Sequence, residues 1–186
     1  MKRSGEDVHP LISVVLPVYN RERYVEATIQ SILDQTYSPL ELIAVVDEGS
    51  TDRSVSIVRD IAARDGRVRP LFLPHGNQWR ARNEGVARAR GDYIAHMDDD
   101  DLALPERLAL QWSWLNRTGV DILGGSIQNF GSQGGLIWFP ETHQAICHEL
   151  LFRISLFLPT VLLRADIARA NPYDESLVYS DYVWLA

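Results

Sequence analysis

The chain has 186 residues, 46% of them hydrophobic, which suffices for one globular core, and no composition shift or long linker divides it. Its 25 acidic against 18 basic residues give a formal charge of -7, which offers no basic footprint for nucleic acid or an anionic membrane surface. The polar start Met1–Asp7 lacks the apolar core of a secretory signal, no run approaches the roughly 18 apolar residues of a membrane span, and the single Cys147 suits a reducing compartment, so the chain is expected in the cytoplasm.

Residues 1–10 are expected to be flexible. Leu11–Val18 is a nearly continuous β-branched and aliphatic run, the pattern of a strand buried on both faces of a parallel sheet. Arg23–Gln35 places Val25, Ile29, Ile32 and Leu33 on one helical face and stops before Ser38-Pro39. Leu40–Val46 repeats the strand, Thr51–Ala63 repeats the helix with Val55, Ile57, Val58 and Ile61, and Val68–Leu73 is a third strand. Gln78–Arg90 reads as another helix, closed by Gly91 at a position that favours a left-handed residue, and Tyr93–Met97 follows as a fourth strand. Pro105 suits the first turn of the next helix. The alternation predicts an α/β fold, a mostly parallel central sheet flanked by helices in one domain spanning 1–186. In the later part, Gly131, Gly134 and Gly135 between Ile127–Phe130 and Leu136–Phe139 predict a hairpin or mobile loop on the acceptor side. Leu150–Phe152 and Leu156–Leu158 read as a core helix rather than a membrane foot, and Trp138, Phe139 and Trp184 as core aromatics with sugar stacking as the alternative.

Asp98–Asp101 fall at the carboxyl end of the fourth strand, where four carboxylates repel one another unless water or a cation screens them. Hard divalent ions prefer such oxygens, and the competing reading is a solvated loop capping the next helix. In open α/β sheets the ligand crevice lies outside the carboxyl ends of the strands, which favours the metal reading. The same rule brings Pro17-Val18-Tyr19-Asn20 and Asp47-Glu48-Gly49-Ser50-Thr51-Asp52 to that edge as a nucleotide pocket. There Tyr19 offers a flat face, Asp47 can accept from a base N–H, and Gly49 permits a tight turn, while Ser50 or Thr51 alternatively caps a helix. Neither Gly-x-Gly-x-x-Gly nor Gly-x-x-x-x-Gly-Lys occurs, so dehydrogenase and P-loop readings drop. Arg80 and Arg82 are candidates for pairing with a diphosphate; two residues apart on a helix they face differently, and Arg82 is favoured. Asn83 either touches the sugar or makes a helix-internal bond. His143 and Cys147, with His148 beside them, superficially resemble a zinc pair but lack the four ligands of a structural site.

From about Leu11 onward the chain resembles a family 2 glycosyltransferase of the GT-A fold. The resemblance rests on Ile12–Asn20, Ser31–Tyr37, Val46–Asp52, Ala81–Gly85 and Met97–Asp101 with Pro105. It implies inverting transfer from a nucleotide-diphosphate-sugar, with UDP as the expected nucleotide, to a hydroxyl of a glycan or lipid-linked acceptor. It also implies Mn²⁺ or Mg²⁺ on Asp98 and Asp100, donor contacts from Pro17, Tyr19, Asn20, Asp47, Arg82, Asp98 and Asp99, and Asp181 as catalytic base. Such chemistry needs a cation for the departing diphosphate and a carboxylate for the acceptor proton. The pattern departs at Glu48, where a second aspartate is usual, and at Ser180, where glutamate often stands. The chain ends at Ala186, whereas such enzymes generally continue, so a truncated catalytic domain is expected, with membrane association only through missing segments. Two other readings are a sugar-nucleotide nucleotidyltransferase, which calls for a glycine-rich basic segment where Pro17–Arg21 stands, and a non-catalytic nucleotide-sugar binding module.

Overall fold

The computed structural model describes residues 9–130, 134–150, 155–178 and Ser180. Its first half alternates β1 (Ile12–Val18), α1 (Val25–Leu33), β2 (Leu40–Asp47), α2 (Ser54–Ala62), β3 (Val68–Leu73), α3 (Gln78–Arg88) and β4 (Tyr93–His96). There follow α4 (Arg107–Thr118), β5 (Ile122–Leu123), β6 (Ile127–Asn129), β7 (Gly135–Ile137), α5 (His143–Leu150), β8 (Leu162–Arg164) and α6 (Ala165–Ala170). The main sheet runs β3-β2-β1-β4-β8-β5; β1 to β4 pair in parallel, and β8 is antiparallel to both β4 and β5. The fold is thus α/β with a mostly parallel sheet flanked by helices. The expected hairpin is present as β6 paired antiparallel with β7.

β1 is apolar apart from Ser13 because both of its faces are covered. Val14, Leu16 and Val18 pack with α1, α2 and α4 through Ile29, Val58 and Leu108, while Val15 joins Ile43, Val45, Trp79 and Val86 beneath α3. Gly85 lets α3 lie this close, since a Cβ there would stand 2.5 Å from Val15 Cγ1 and 3.0 Å from Val45 Cγ2. The sheet also buries polar residues, among them Glu41, which accepts from Ser13 Oγ (2.7 Å), the Arg90 N–H (2.7 Å) and Arg69 (2.5 Å).

Three local expectations are corrected. α3 stops at Arg88 with Ala89 extended, and Gly91 is not left-handed; it is required because a Cβ would lie 2.6 Å from the Leu11 carbonyl oxygen. α4 starts at Arg107, and Pro105 precedes it, its carbonyl accepting from the Thr36 N–H at 2.8 Å. α5 is described as far as Leu150, Leu151 and Phe152 lie outside the described residues, and Leu158 lies in a short 3-10 turn rather than in an α-helix. The left-handed glycine that does cap a helix is Gly119, after α4, with φ 72°. His9 and Pro10 are tied down: the His9 ring stacks on Tyr37 at 5.2 Å, and the Tyr37 hydroxyl donates to the Pro10 carbonyl at 2.6 Å. Burial, then the charges of the neighbouring Tyr93 and Asp92, raise the Tyr37 hydroxyl pKa well above its ordinary value.

Candidate functional site

The carboxyl ends of β1, β2 and β4 meet at one edge of the sheet. Asn20, just past β1, adopts a left-handed φ of 53°, which its short amide tolerates. That geometry lets its N–H donate to Ser50 Oγ (3.3 Å) and its Oδ1 accept from the Thr51 N–H (2.8 Å). Ser50 and Thr51 therefore bind the β1 loop instead of capping α2. Asp52 does the local work at that helix, with Oδ1 accepting from the Ser54 N–H at 2.9 Å. Pro17 is part-buried within β1, opposite Val45, so it shapes the strand end.

At the end of β2, Asp47 is held by its neighbours. Oδ1 accepts from the Gly49 N–H (2.7 Å), and Oδ2 lies 3.1 Å from the Gly76 nitrogen and 2.9 Å from His75 Nδ1. The Tyr19 ring is 43% exposed and lies 5.0 Å from the His75 ring. A shallow recess here is lined by Val45, Asp47, Leu73, Pro74, Asn77 and Arg80.

At the end of β4, each aspartate has a different environment. Asp98 is paired with Arg82, whose side chain is only 2% exposed. Asp99 accepts from the Tyr19 N–H at 3.0 Å, and the Arg21 Nε lies 3.2 Å from both Asp99 and Asp100. Burial pushes the Asp99 carboxyl up to about 6, opposed by the Tyr19 N–H and Arg21 and reinforced by Asp100 and Asp98. Asp101 is likewise pushed up to about 6, by burial and then by the charges of Asp98 and Asp100. Burial lowers the Arg107 guanidinium to about 10 against the pull of Asp101. Asp100 is 44% exposed and reaches solvent.

Arg82 does not face the recess. It lies against the fully buried His96, with Nη1 3.5 Å from His96 Nδ1, and among the described residues its Nε has no hydrogen-bond partner. The expected difference in facing between Arg80 and Arg82 is seen, but Arg80 is the one lining the recess while Arg82 braces Asp98 from within. On the far side of His96, the Tyr173 hydroxyl is 3.2 Å from Nε2. Burial, then the charges of Arg82 and Arg107, hold the imidazole well below its ordinary pKa, so it is neutral. Among the described residues the Asn83 side chain makes no helix-internal bond. It donates to the Tyr173 carbonyl (2.9 Å) and Glu175 (3.0 Å) and accepts from the Tyr173 N–H (2.9 Å).

Sequence reasoning misses Arg21, His75, His96 and Tyr173. Arg21 adjoins a recognised motif, which is the one signal available; the others depend on tertiary contacts. Asp181 and Trp184 lie outside the described residues. His143 and Cys147 are within 3.6 Å, yet among the described residues no group of three or more His, Cys, Asp or Glu is placed to hold a metal. Trp138 is 69% exposed, and Phe139 stacks on Phe157 at 6.4 Å.

Residues 13–168 match the family described as "Glycosyl transferase family 2". The chain belongs to that family. An uncharacterized glycosyltransferase of Haemophilus influenzae is 35% identical over 177 residues, covering 94% of this chain and 70% of the relative. Glycosyltransferase GlyG of Streptococcus pneumoniae is 35% identical over 142 residues, 76% of this chain and 47% of GlyG. The O-antigen biosynthesis glycosyltransferase WbnJ of Escherichia coli is 31% identical, with 94% and 70% covered. The fold of this family 2 chain is also that of S. aureus TarS 1-349 in complex with UDP-GlcNAc, at a TM-score of 0.78 and 21% identity over 94% of this chain and 52% of TarS. The mannosyltransferase PcManGT of Pyrobaculum calidifontis, in complex with GDP-Man and Mn²⁺, aligns at a TM-score of 0.70 and 18% identity, covering 96% of this chain and 51% of PcManGT. The chain therefore spans about half the length of those two solved relatives. No helix among the described residues is long and apolar enough to cross a membrane.

Proposed function

We propose that the protein moves a glycosyl group from a nucleotide-diphosphate-sugar, a UDP-sugar in the first instance, to a hydroxyl of a glycan or lipid-linked acceptor with inversion. One observation carries this reading: the same sheet edge holds Asp47 lining a shallow recess, the exposed Tyr19 ring beside the His75 that contacts Asp47 and, at the end of β4, the carboxylates of Asp98 and Asp100. These suit the two ends of such a donor. The relative WbnJ, named for O-antigen biosynthesis, supports a glycan acceptor, and TarS with UDP-GlcNAc and PcManGT with GDP-Man support a nucleotide-sugar.

The donor set fits Mn²⁺ or Mg²⁺, because Asp98 and Asp100 offer hard carboxylate oxygens and such ions take further ligands from phosphates and water. Once bound, a divalent ion would neutralise the charge growing on the leaving diphosphate. Asp47 would accept from the base N–H with its other contacts already made, and Tyr19 would lie along the base. Arg82 would hold Asp98 in place, and the bond from the Tyr19 N–H to Asp99 would keep the two halves of the site in register. Asp181 would take the acceptor proton as the hydroxyl oxygen attacks the anomeric carbon, opposite the breaking bond to the diphosphate. A cytoplasmic setting belongs to the same proposal; the free thiol of the exposed Cys147 suits a reducing compartment.

The test is calorimetric titration with UDP, GDP and dTDP, each with Mn²⁺ or EDTA. Metal-dependent binding of one of them, lost in Asp100→Asn, is expected; no binding by folded protein would end the reading. Asp181→Asn should abolish transfer and spare donor binding, and normal transfer would remove the base assignment.

A further inference from the structure

The turn between β3 and α3 carries a side chain that the proposed function leaves unused. His75 has its Nδ1 2.9 Å from Asp47 Oδ2, and its ring lies 5.0 Å from Tyr19 at 39°. Those are the two groups assigned above to the nucleobase. With its proton on Nδ1, the imidazole is a flat heteroaromatic ring that presents an N–H to the carboxylate beside an aromatic face, as a base would.

A steric observation points the same way. A Cβ at residue 49 would lie 2.8 Å from His75 Cβ and 2.9 Å from its Cγ, so the histidine fits here only because Gly49 has no side chain. Its anchoring is nevertheless slight. The side chain is 61% exposed, and among the described residues Asp47 is its one hydrogen-bonding partner. Asp47 itself does not depend on the histidine, since the Gly49 and Gly76 N–H groups hold both of its oxygens.

We propose that His75 is an internal surrogate for the nucleobase: it occupies the base position in the donor-free protein and leaves when the base enters. The inference rests on the donor-site reading above. Binding then exchanges one N–H to Asp47 for another, and one ring beside Tyr19 for another. The base gains only the difference, and apparent affinity is reduced by the fraction of molecules in which the position is filled. The exchange costs every base alike, so selectivity between bases stays with Asp47 itself. A base with a ring N–H, as in uracil, thymine or guanine, replaces what the imidazole gives, whereas adenine in a nucleotide has no ring N–H and offers only its exocyclic amine.

The full chain would be titrated calorimetrically with UDP plus Mn²⁺, with uridine alone, and with inorganic pyrophosphate plus Mn²⁺, as wild type and as His75→Ala. The variant should bind UDP and uridine roughly three- to tenfold more tightly, the worth of removing one modest hydrogen-bonded competitor. Pyrophosphate binding should not change, because that ligand has no base to meet Asp47. In the wild type, the nuclear Overhauser contact between the His75 and Tyr19 rings should vanish on saturation with UDP. No gain in affinity for His75→Ala, or a ring contact that survives saturation, overturns the surrogate role while leaving the donor site intact. If folded wild-type protein binds none of UDP, GDP or dTDP, the donor-site reading fails and the surrogate role falls with it.

Discussion

Replacing Glu41 by glutamine tests whether the buried polar network at the end of the sheet remote from the site holds the parallel strands together. Glu41 is 6% exposed; Oε1 accepts from Ser13 and the Arg90 N–H, and Oε2 from Arg69. Burial alone would raise its pKa, but the bonds from Ser13, the Arg90 N–H and Arg69 outweigh it and hold the carboxyl below its ordinary 4.5. An amide of the same shape keeps one oxygen toward Ser13 and Arg90 and turns an NH₂ toward Arg69, where donor meets donor. Losing a hydrogen bond to a charged group costs about 1.5–3 kcal/mol, and the two retained bonds weaken when their acceptor becomes neutral, so about 3 kcal/mol is expected at pH 7. For an m-value near 2 kcal/mol/M, that moves the urea midpoint by about 1.5 M with m unchanged. Because the folded pKa is depressed, the carboxylate's contribution is fully present above the unfolded value and is lost as pH falls through the folded one. The gap between wild type and Glu41→Gln should therefore narrow below about pH 4.5. A loss under about 0.5 kcal/mol at pH 7, within the range of an ordinary surface substitution, or a gap that does not narrow in acid, would refute the reasoning.

Gly85→Ala should lose about 2 kcal/mol, because overpacking against the fixed Val15 costs about 3 and alanine's helical preference returns about 1. Nucleotide affinity should fall with it as α3 carries Arg82 away from Asp98; a stabilised variant would show that α3 yields freely. His96 is kept neutral, so below about pH 6.5 the unfolded chain binds one proton more and stability should fall by about 1.4 kcal/mol per unit. Asp99 and Asp101, raised to about 6, bind protons more readily when folded and act in the opposite sense. The readout is thus the difference in slope between wild type and a folded His96→Gln from pH 6.5 to 5, and equal slopes would contradict the assignment.

Strands β1 and β2 are legible in the sequence because burial on both faces leaves nearly unbroken aliphatic runs, while β3 and β4 are read from their place in the strand–helix alternation. β8 is not, since a three-residue antiparallel strand carries no periodicity, and its register comes from β4. Gly91 shows the limit of local rules: a glycine after a helix reads as a left-handed cap, yet the approach of Leu11 and Ser13 is what demands it. The strand-end acids are legible through topology, because position along a parallel strand fixes which edge a residue reaches. Arg82 is legible as a site cation but not as a buried brace, which only the packing of α3 on His96 decides. His75 lies beyond such reading, since its partner Asp47 is 28 residues away and no motif spans that separation.

The asparagine clamp between α3 and the segment after α6 also bears on the order of events in folding. Asn83 meets Tyr173 across 90 residues of chain, and Asn77 donates to the Glu175 carbonyl across 98. Loops of that length close at an entropic cost that only an already formed sheet can repay, so these contacts belong to the descent after the barrier. Interactions made that late leave the refolding rate nearly untouched and govern escape from the native state. The clamp is therefore a kinetic latch: loosening Asn83 should shorten the lifetime of the folded protein far more than it slows its formation.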